Sequence, residues 1–442
     1  MYEPSDSLVR SAGPANQARL SHGMRNHIST LLLSGLLVVV VFDPSDSLSG
    51  LKKYFFVSLM IFSAWLYLAS EPQIRISVPA LVVALAYGVF LPTLSIFSYY
   101  LQGGHSRDYE GLSSLIGFFS LMLLIVLKSL EGKASRLFIK VLDIQAMATA
   151  ALYVILNSYP DLIEPVTIYG YDHGFLWINQ KEYGSLGFLQ IFFKTAPFMV
   201  FPAAYHAFLF FSGREQARTQ HLFLLVISCL ALLISGTRAN IVFAFIIPAY
   251  FAVVRLERAG VPTLVYLAPT VAVLLGLLLT NSEVLSAMLD PNEFSNSVKL
   301  GYWEDYGKIF TNGLVLFFGQ GIGVIHHFES LGLDLKLTEL TLFELVRNFG
   351  LLGAIAYVFF WLAPLYILRK IEFQELSWMR VAYACYLVIS MSNYFILSST
   401  GMVLMSIIYA NCLYHGSGRI EQITVKGASA IFPPSRLFSG NR

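Results

Sequence analysis

Charge is what this sequence lacks. Of its 442 residues, 13% are Asp, Glu, Lys or Arg and 56% are hydrophobic, whereas a water-soluble domain carries about 25% charged residues. Such a chain cannot cover a water-facing globule. Cysteine is scarce too. Cys229, Cys385 and Cys412 all stand within apolar runs, and no CxxC or Cys/His spacing occurs; this excludes a disulfide framework and a zinc motif. No metal and no cofactor are expected. Internal repeats and low-complexity tracts are also missing. The formal net charge of +2 says nothing about nucleic acid; where the charges fall is informative, and no nucleic-acid partner is expected.

What remains is a series of apolar runs, many long enough to cross a hydrocarbon core about 30 Å thick. Twelve spans account for them: 27–42, 54–70, 78–100, 112–128, 137–157, 188–212, 220–236, 239–254, 262–280, 349–368, 380–397 and 400–414. The expected fold is an all-α polytopic membrane protein of about twelve transmembrane helices. Residues 1–26 form a polar tail, 27–280 carry helices one to nine with a loop at 158–187, 281–348 form a large loop, 349–414 carry helices ten to twelve, and 415–442 form a basic tail. No small-residue cleavage site follows the first run, which therefore reads as a retained helix.

The cations divide by side. With the N-terminus cytoplasmic, the inner segments hold Arg10, Arg19, Arg25, Arg75, Lys128, Lys133, Arg136, Arg214, Arg218, Arg255, Arg258, Arg369, Lys370, Arg380, Arg419, Lys426, Arg436 and Arg442, whereas the short outer loops hold Lys52, Lys53, Arg107 and Lys181, with Arg238 at a helix end. This obeys the positive-inside rule and puts both termini in the cytoplasm. The loops 158–187 and 281–348 then face outward. The longer one should carry short helices, since "SVKLGYWEDYGKIF" and "LTELTLFELVRNFG" have helical apolar spacing.

Against that background, the arginine in "LLISGTRANIVFAFIIPAYF" needs a reason, because a guanidinium at the bilayer centre costs at least about 2.5–3.5 kcal/mol. Gly236 supplies a tight turn and Arg238 begins the returning helix at the outer boundary. Helix-start N–H groups and the dipole attract anions there; the alternative is a snorkelling interface arginine. Lys194 in "LQIFFKTAPFMV" falls about two turns down the sixth span, facing a cavity or paired to a carboxylate. With Arg347, Lys299, Lys308 and Lys181 on the same side, these cations suggest a pocket for a phosphate or pyrophosphate. Acid–base candidates on that face are Asp172, His173, Glu182, Glu304, Asp305, His326, His327, Glu339 and Glu344. The aromatic residues Tyr169, Tyr171, Trp177, Tyr302 and Trp303 suit sugar stacking or an interfacial belt. Asp143, within the fifth span, is expected to be satisfied locally.

Three stretches resemble the O-antigen ligase and polymerase superfamily, and within it the Wzy-type polymerases. "LLISGTRANIV" is similar to the family's SGSRG or SGTRG hairpin and sets Arg238 on its essential arginine. "KLGYWEDYGKIFTNGLVLFFGQGIGV" resembles its arginine, tryptophan and glycine-rich stretch, with Lys299, Trp303, Gly319, Gly321 and Gly323 in the matching places. "TELTLFELVRNFGLLG" resembles the HNxxLxxlxexGllG segment, and "WINQKEYG" is weakly similar to an NpN stretch through Asn179. Lys299 replaces the family's arginine, keeping charge but losing the bidentate fork, and Glu339 stands where ligases carry histidine.

The resemblance implies a GT-C-like, metal-independent, inverting glycosyltransferase of the bacterial inner membrane. It would move a growing glycan from undecaprenyl pyrophosphate to a repeat unit on the same carrier, at the periplasmic face. Its expected partners are that lipid-linked oligosaccharide, membrane lipids and a Wzz-type chain-length regulator. Arg238 and Glu339 would be catalytic, with Arg238, Arg347, Lys299, Lys194 and Lys181 binding pyrophosphate. Asp172, His173, Glu344, Trp303 and Tyr302 are alternates. The rivals are a ligase that transfers glycan to lipid A-core, and a lipid or polysaccharide transporter, for which charges along both halves of a central path would be expected.

Overall fold

The computed structural model describes residues 14–69, 77–102, 111–127, 130, 133–183, 186–212, 218–262, 290, 294–370 and 376–414. Within them the chain is mostly helical. Four helices are long and apolar enough to cross a membrane: Val78–Leu101, Lys133–Ser158, Arg238–Arg258 and Thr341–Lys370. They coincide with the third, fifth, eighth and tenth predicted spans. The shorter apolar helices His27–Phe42, Ser114–Leu127, Ala196–Phe211, Arg218–Ile234 and Ser399–Tyr414 fall on the first, fourth, sixth, seventh and twelfth, and Lys52–Ala69 and Ser377–Met391 on the second and eleventh. The ninth predicted span, 262–280, and the tail after residue 414 lie outside the described residues. The first helix runs from Pro14 to Phe42, so half of the expected N-terminal tail is helical. Proline at a first helical position costs nothing, because its missing N–H has no intrahelical partner there.

The helices pack around one large apolar core, and tyrosine hydroxyls repair the backbone where the helices break their own hydrogen bonding. Pro364 has no N–H to give the carbonyl four residues earlier; that carbonyl, Phe360 O, accepts from Tyr409 Oη at 2.5 Å. Tyr357 Oη donates at 2.9 Å to Tyr87 O, inside a π-helical turn at Ala86–Phe90. In an apolar interior an unpaired carbonyl would be costly. Asp143 is satisfied across helices rather than locally: it lies 2.9 Å from Nε2 of His206, whose Nδ1 lies 3.0 Å from His221 Nδ1.

The all-α expectation fails at residues 176–193. Two eight-residue strands, β1 (Leu176–Tyr183) and β2 (Leu186–Phe193), form an antiparallel hairpin. Its side chains alternate in environment. Leu176, Ile178, Leu189, Ile191 and Phe193 are buried together with Leu156 in a second core, while Trp177, Asn179, Gln190 and Phe192 turn to the opposite side. The hairpin takes the first six residues, 188–193, of the predicted sixth span, so Lys194 stands in a turn before the helix, not two turns inside it.

In the described part of the long loop both expected helices are present, as Phe294–Ile309 and the first turns of Thr341–Lys370, and a short helix that was not expected, Gly313–Phe318, lies between them. A short hairpin of β3 (His326–Phe328) and β4 (Leu333–Leu335) completes it. Tyr302, Tyr306, Ile309, Val315 and Phe328 make its own core. The loop is seated on the helices through glycine. Thr341–Lys370 is broken at Gly350 (φ 67°, ψ 175°), and Gly319 (φ 77°) lies against it. A β-carbon on Gly350 would come 2.1 Å from Phe317 O, and one on Gly319 2.5 Å from Gly350 N. Ser95 ties the crossing to a third element, accepting from Ile322 N at 2.9 Å and donating to Asn348 O.

Candidate functional site

A cavity of about 460 Å³ lies where five separate segments meet. The β1–β2 hairpin contributes Trp177, Asn179, Gln190 and Phe192, and the turn after it Lys194. The "SGTR" turn gives Thr237, Arg238 and Ala239. Lys299 comes from the Phe294–Ile309 helix, Glu339 from the turn before Thr341, and Ile389, Ser392 and Asn393 from the end of Ser377–Met391. Lys194, Arg238, Lys299 and Glu339 span 145 positions of sequence, yet line one half-open cavity.

Local structure explains how Arg238 is aimed. Gly236 takes φ 63°, and a β-carbon there would collide with the Gln190 side chain at 2.8 Å. Gln190 Nε2 donates to Ser235 O at 2.7 Å, and Asn240 Nδ2 to Ser235 Oγ at 2.9 Å. The turn is thus pinned to the hairpin and to its own helix. Thr237 is extended as the N-cap residue but makes no capping bond; its Oγ1 is buried without a partner among the described residues. The first N–H groups of this helix have no intrahelical acceptor, and Thr237, Arg238 and Ala239 line the cavity. Arg238 Nη1 donates to Asn296 Oδ1 at 2.8 Å, which orients the guanidinium toward the long loop.

Glu339 is 61% exposed and its carboxylate lies 3.9 Å from Lys299 Nζ. The pair is loose, and each keeps capacity for another partner. Lys194 Nζ donates to Ser45 Oγ at 3.1 Å, and burial holds its ammonium below the usual lysine range. Behind it, Lys52 Nζ donates to Pro44 O at 2.5 Å and Ser399 Oγ at 3.0 Å. Burial lowers Lys52 to about 8, despite the raising charges of Asp46 and Asp43, and Lys194 adds to the lowering.

Arg347 and Glu344 do not belong to this cavity. Both side chains are fully buried. Glu344 Oε2 accepts from Arg347 Nη2 at 2.8 Å, Arg347 Nε at 3.1 Å and Asn348 Nδ2 at 3.2 Å. Its Oε1 accepts from Tyr306 Oη and Thr338 N, each at 2.7 Å. Arg347 spends its other donors on Lys336 O at 2.6 Å and Val324 O at 3.1 Å. Both are sealed from solvent and line no part of the cavity. The expectation of a pyrophosphate-binding Arg347 is replaced by a buried knot that fastens the long loop to the broken helix. Burial, with the Glu344 charge, also pushes the Tyr306 phenol up, so it stays a donor.

The remaining candidates lie elsewhere. Asp172 is exposed, and His173 Nδ1 is 2.8 Å from Tyr169 O. Tyr302 is buried, edge-on to Phe328 at 5.4 Å. Trp303 is exposed, edge-on to Phe343 at 4.9 Å. His327 Nδ1 sits 2.7 Å from Asp334 Oδ1 across β3 and β4. Lys181 stands on β1, but its side chain lies outside the described residues, as does that of Glu182. Among the described residues no cluster of His, Cys, Asp and Glu fits a metal ion. The sequence reading missed Thr237, Gln190, Phe192, Ser392 and Asn393. For the last two a signal existed, because "SMSNYF" interrupts an apolar run with polar side chains. No protein-family model matches the chain, and no curated protein matches it significantly.

Proposed function

We propose that the chain is a polymerase of lipid-linked glycans, working at the periplasmic face of the bacterial inner membrane with twelve spans and both termini in the cytoplasm. The observation that carries this reading is the meeting of Arg238, Lys299, Lys194 and Glu339 in one cavity beside Trp177. Three cations and a helix start favour a multiply charged anion such as pyrophosphate. In the reaction, an acceptor hydroxyl oxygen forms a bond to the anomeric carbon of the donor glycan. The bond from that carbon to the pyrophosphate oxygen breaks, and the lipid pyrophosphate leaves with the electron pair. Charge grows on the leaving group, where preorganised cations contribute most. The hydroxyl proton passes to a carboxylate, and Glu339 is the one in the cavity with an oxygen to spare.

Glu339 also stands where the related ligases carry histidine, which favours polymerisation over transfer to lipid A-core. The test is chain extension of an undecaprenyl-pyrophosphate-linked repeat unit by purified protein, with and without chelator. Extension should persist under chelation. Arg238→Ala should remain folded and lose about 10²–10³-fold in turnover. Full activity in that variant would reduce Arg238 to a membrane-edge anchor and sink the reading.

A further inference from the structure

The β1–β2 hairpin has two faces, and only one is explained by folding. Its inner face supplies the second core. The register pairs Trp177 with Phe192 and Asn179 with Gln190, so the opposite face presents two aromatic rings and then two amides to the cavity. The rings are 5.8 Å apart and tilted by 43°, so the two are not stacked face to face. Gln190 is committed to the "SGTR" turn through Ser235 O. Asn179 is exposed, and neither its amide nor the Trp177 indole N–H has a hydrogen-bond partner among the described residues. A strand face of this composition sits poorly against water, and it suits a lipid chain no better. A wholly apolar occupant would strand the donors of Asn179, Trp177 and Lys194. An occupant with one C–H face and a rim of hydroxyls satisfies all of them, as pocket linings of aromatic rings with a few fixed polar groups do.

We infer that this face is the sugar-reading wall of the cavity: Trp177 stacks on the glycosyl ring joined to the pyrophosphate, and Asn179 hydrogen-bonds its hydroxyls. The inference rests on the reading of the cavity as a glycosyl-pyrophosphate site, and it assigns recognition of the sugar to residues separate from those that hold the anion. Lys194 follows this strand face and Arg238 lines the same cavity, so a ring on Trp177 has cations in the same cavity for its pyrophosphate. Trp177 and Asn179 then set which repeat unit is accepted.

The experiment is calorimetric titration of the full chain in nanodiscs with a short-chain prenyl diphosphate, bare and bearing one hexose or one N-acetylhexosamine. The parent should bind at least one glycosylated form about tenfold more tightly than the bare diphosphate. Trp177→Ala and Asn179→Ala should each erase that preference while leaving the bare diphosphate unchanged, which also reports that the variants are folded. Trp177→Phe, which keeps a ring, should retain part of it. Arg238→Ala should weaken both forms alike. Equal binding of bare and glycosylated forms by the parent would overturn the inference and leave the pyrophosphate site standing. So would a Trp177→Ala variant that loses both forms together, since that would make the indole structural. A parent that binds neither form would remove the pyrophosphate reading and this inference with it.

Discussion

Two regions of this protein join a cation to a glutamate, and they are opposites. In one, Arg347 and Glu344 are fully buried, and every oxygen of the carboxylate is occupied. In the other, Lys299 and Glu339 face each other at 3.9 Å in an open cavity beside Arg238. Burial with saturated hydrogen bonding makes the first a fastener. Its charges are balanced once and have nothing further to offer. The second is under-committed, which is the condition for meeting a substrate. Charge type says little about role here, and unspent hydrogen-bonding capacity says much.

The sharpest way to break this contrast is to unbalance the buried pair. Arg347→Met leaves a buried carboxylate without its cation and should cost about 3–5 kcal/mol of stability. Pairing it with Glu344→Gln should recover part of the loss. Thermal unfolding of the purified protein in detergent reads both; an unchanged midpoint for Arg347→Met would mean that the knot is open to water. In the cavity the expected pattern is the reverse. Glu339→Gln should leave the unfolding midpoint unmoved and lower single-turnover rate by about 10² or more, the size of a general-base contribution. A rate within about threefold of the parent would show that Glu339 serves only to hold Lys299.

Arg238→Lys should give a smaller loss, about tenfold, because a point charge keeps the attraction but not the fork that spans two phosphate oxygens. Lysine performing as well as arginine would mean that net charge alone matters at the helix start. The smallest effect concerns pH. Lys52 titrates at about 8 in the fold against an ordinary 10.5. Between those values the unfolded chain binds more protons than the folded one, so this group makes stability rise with pH from about 8 to 10.5. Its contribution is lost as pH falls through 8. The difference in unfolding midpoint between parent and Lys52→Met should change by roughly 2–4 °C over that window. A constant difference would place Lys52 in contact with solvent.

Much of the framework could be read from sequence because it rests on local patterns. The turn at Gly236 and the helix starting at Arg238 follow from a glycine set between apolar runs, and the two helices of the long loop from their apolar spacing. The hairpin could not be read this way. "GFLQIFF" is apolar at nearly every position, so it continued smoothly into the helix after Lys194, and the alternation that marks a strand was visible only in Ile178, Leu189 and Ile191 once their partners were known. Arg238 and Arg347 looked alike for a similar reason. Both precede an apolar helix, and what separates them is the set of carbonyls and carboxylate oxygens brought by Val324, Lys336 and Glu344. Such partners depend on how the long loop folds back, which spacing along the chain does not encode.

The scattered origin of the cavity wall bears on the timing of synthesis. Its first residues, from Trp177, emerge early, whereas Ser392 and Asn393 appear only after two further long helices have been made. The Gly319–Gly350 crossing closes later than Ser95, which must wait for it. A nascent chain entering the bilayer from its N-terminus would therefore carry an unfinished pocket through most of translation. The cavity wall would be complete only once Ser392 and Asn393 have been made, so a chain arrested before that point lacks one of its five sides.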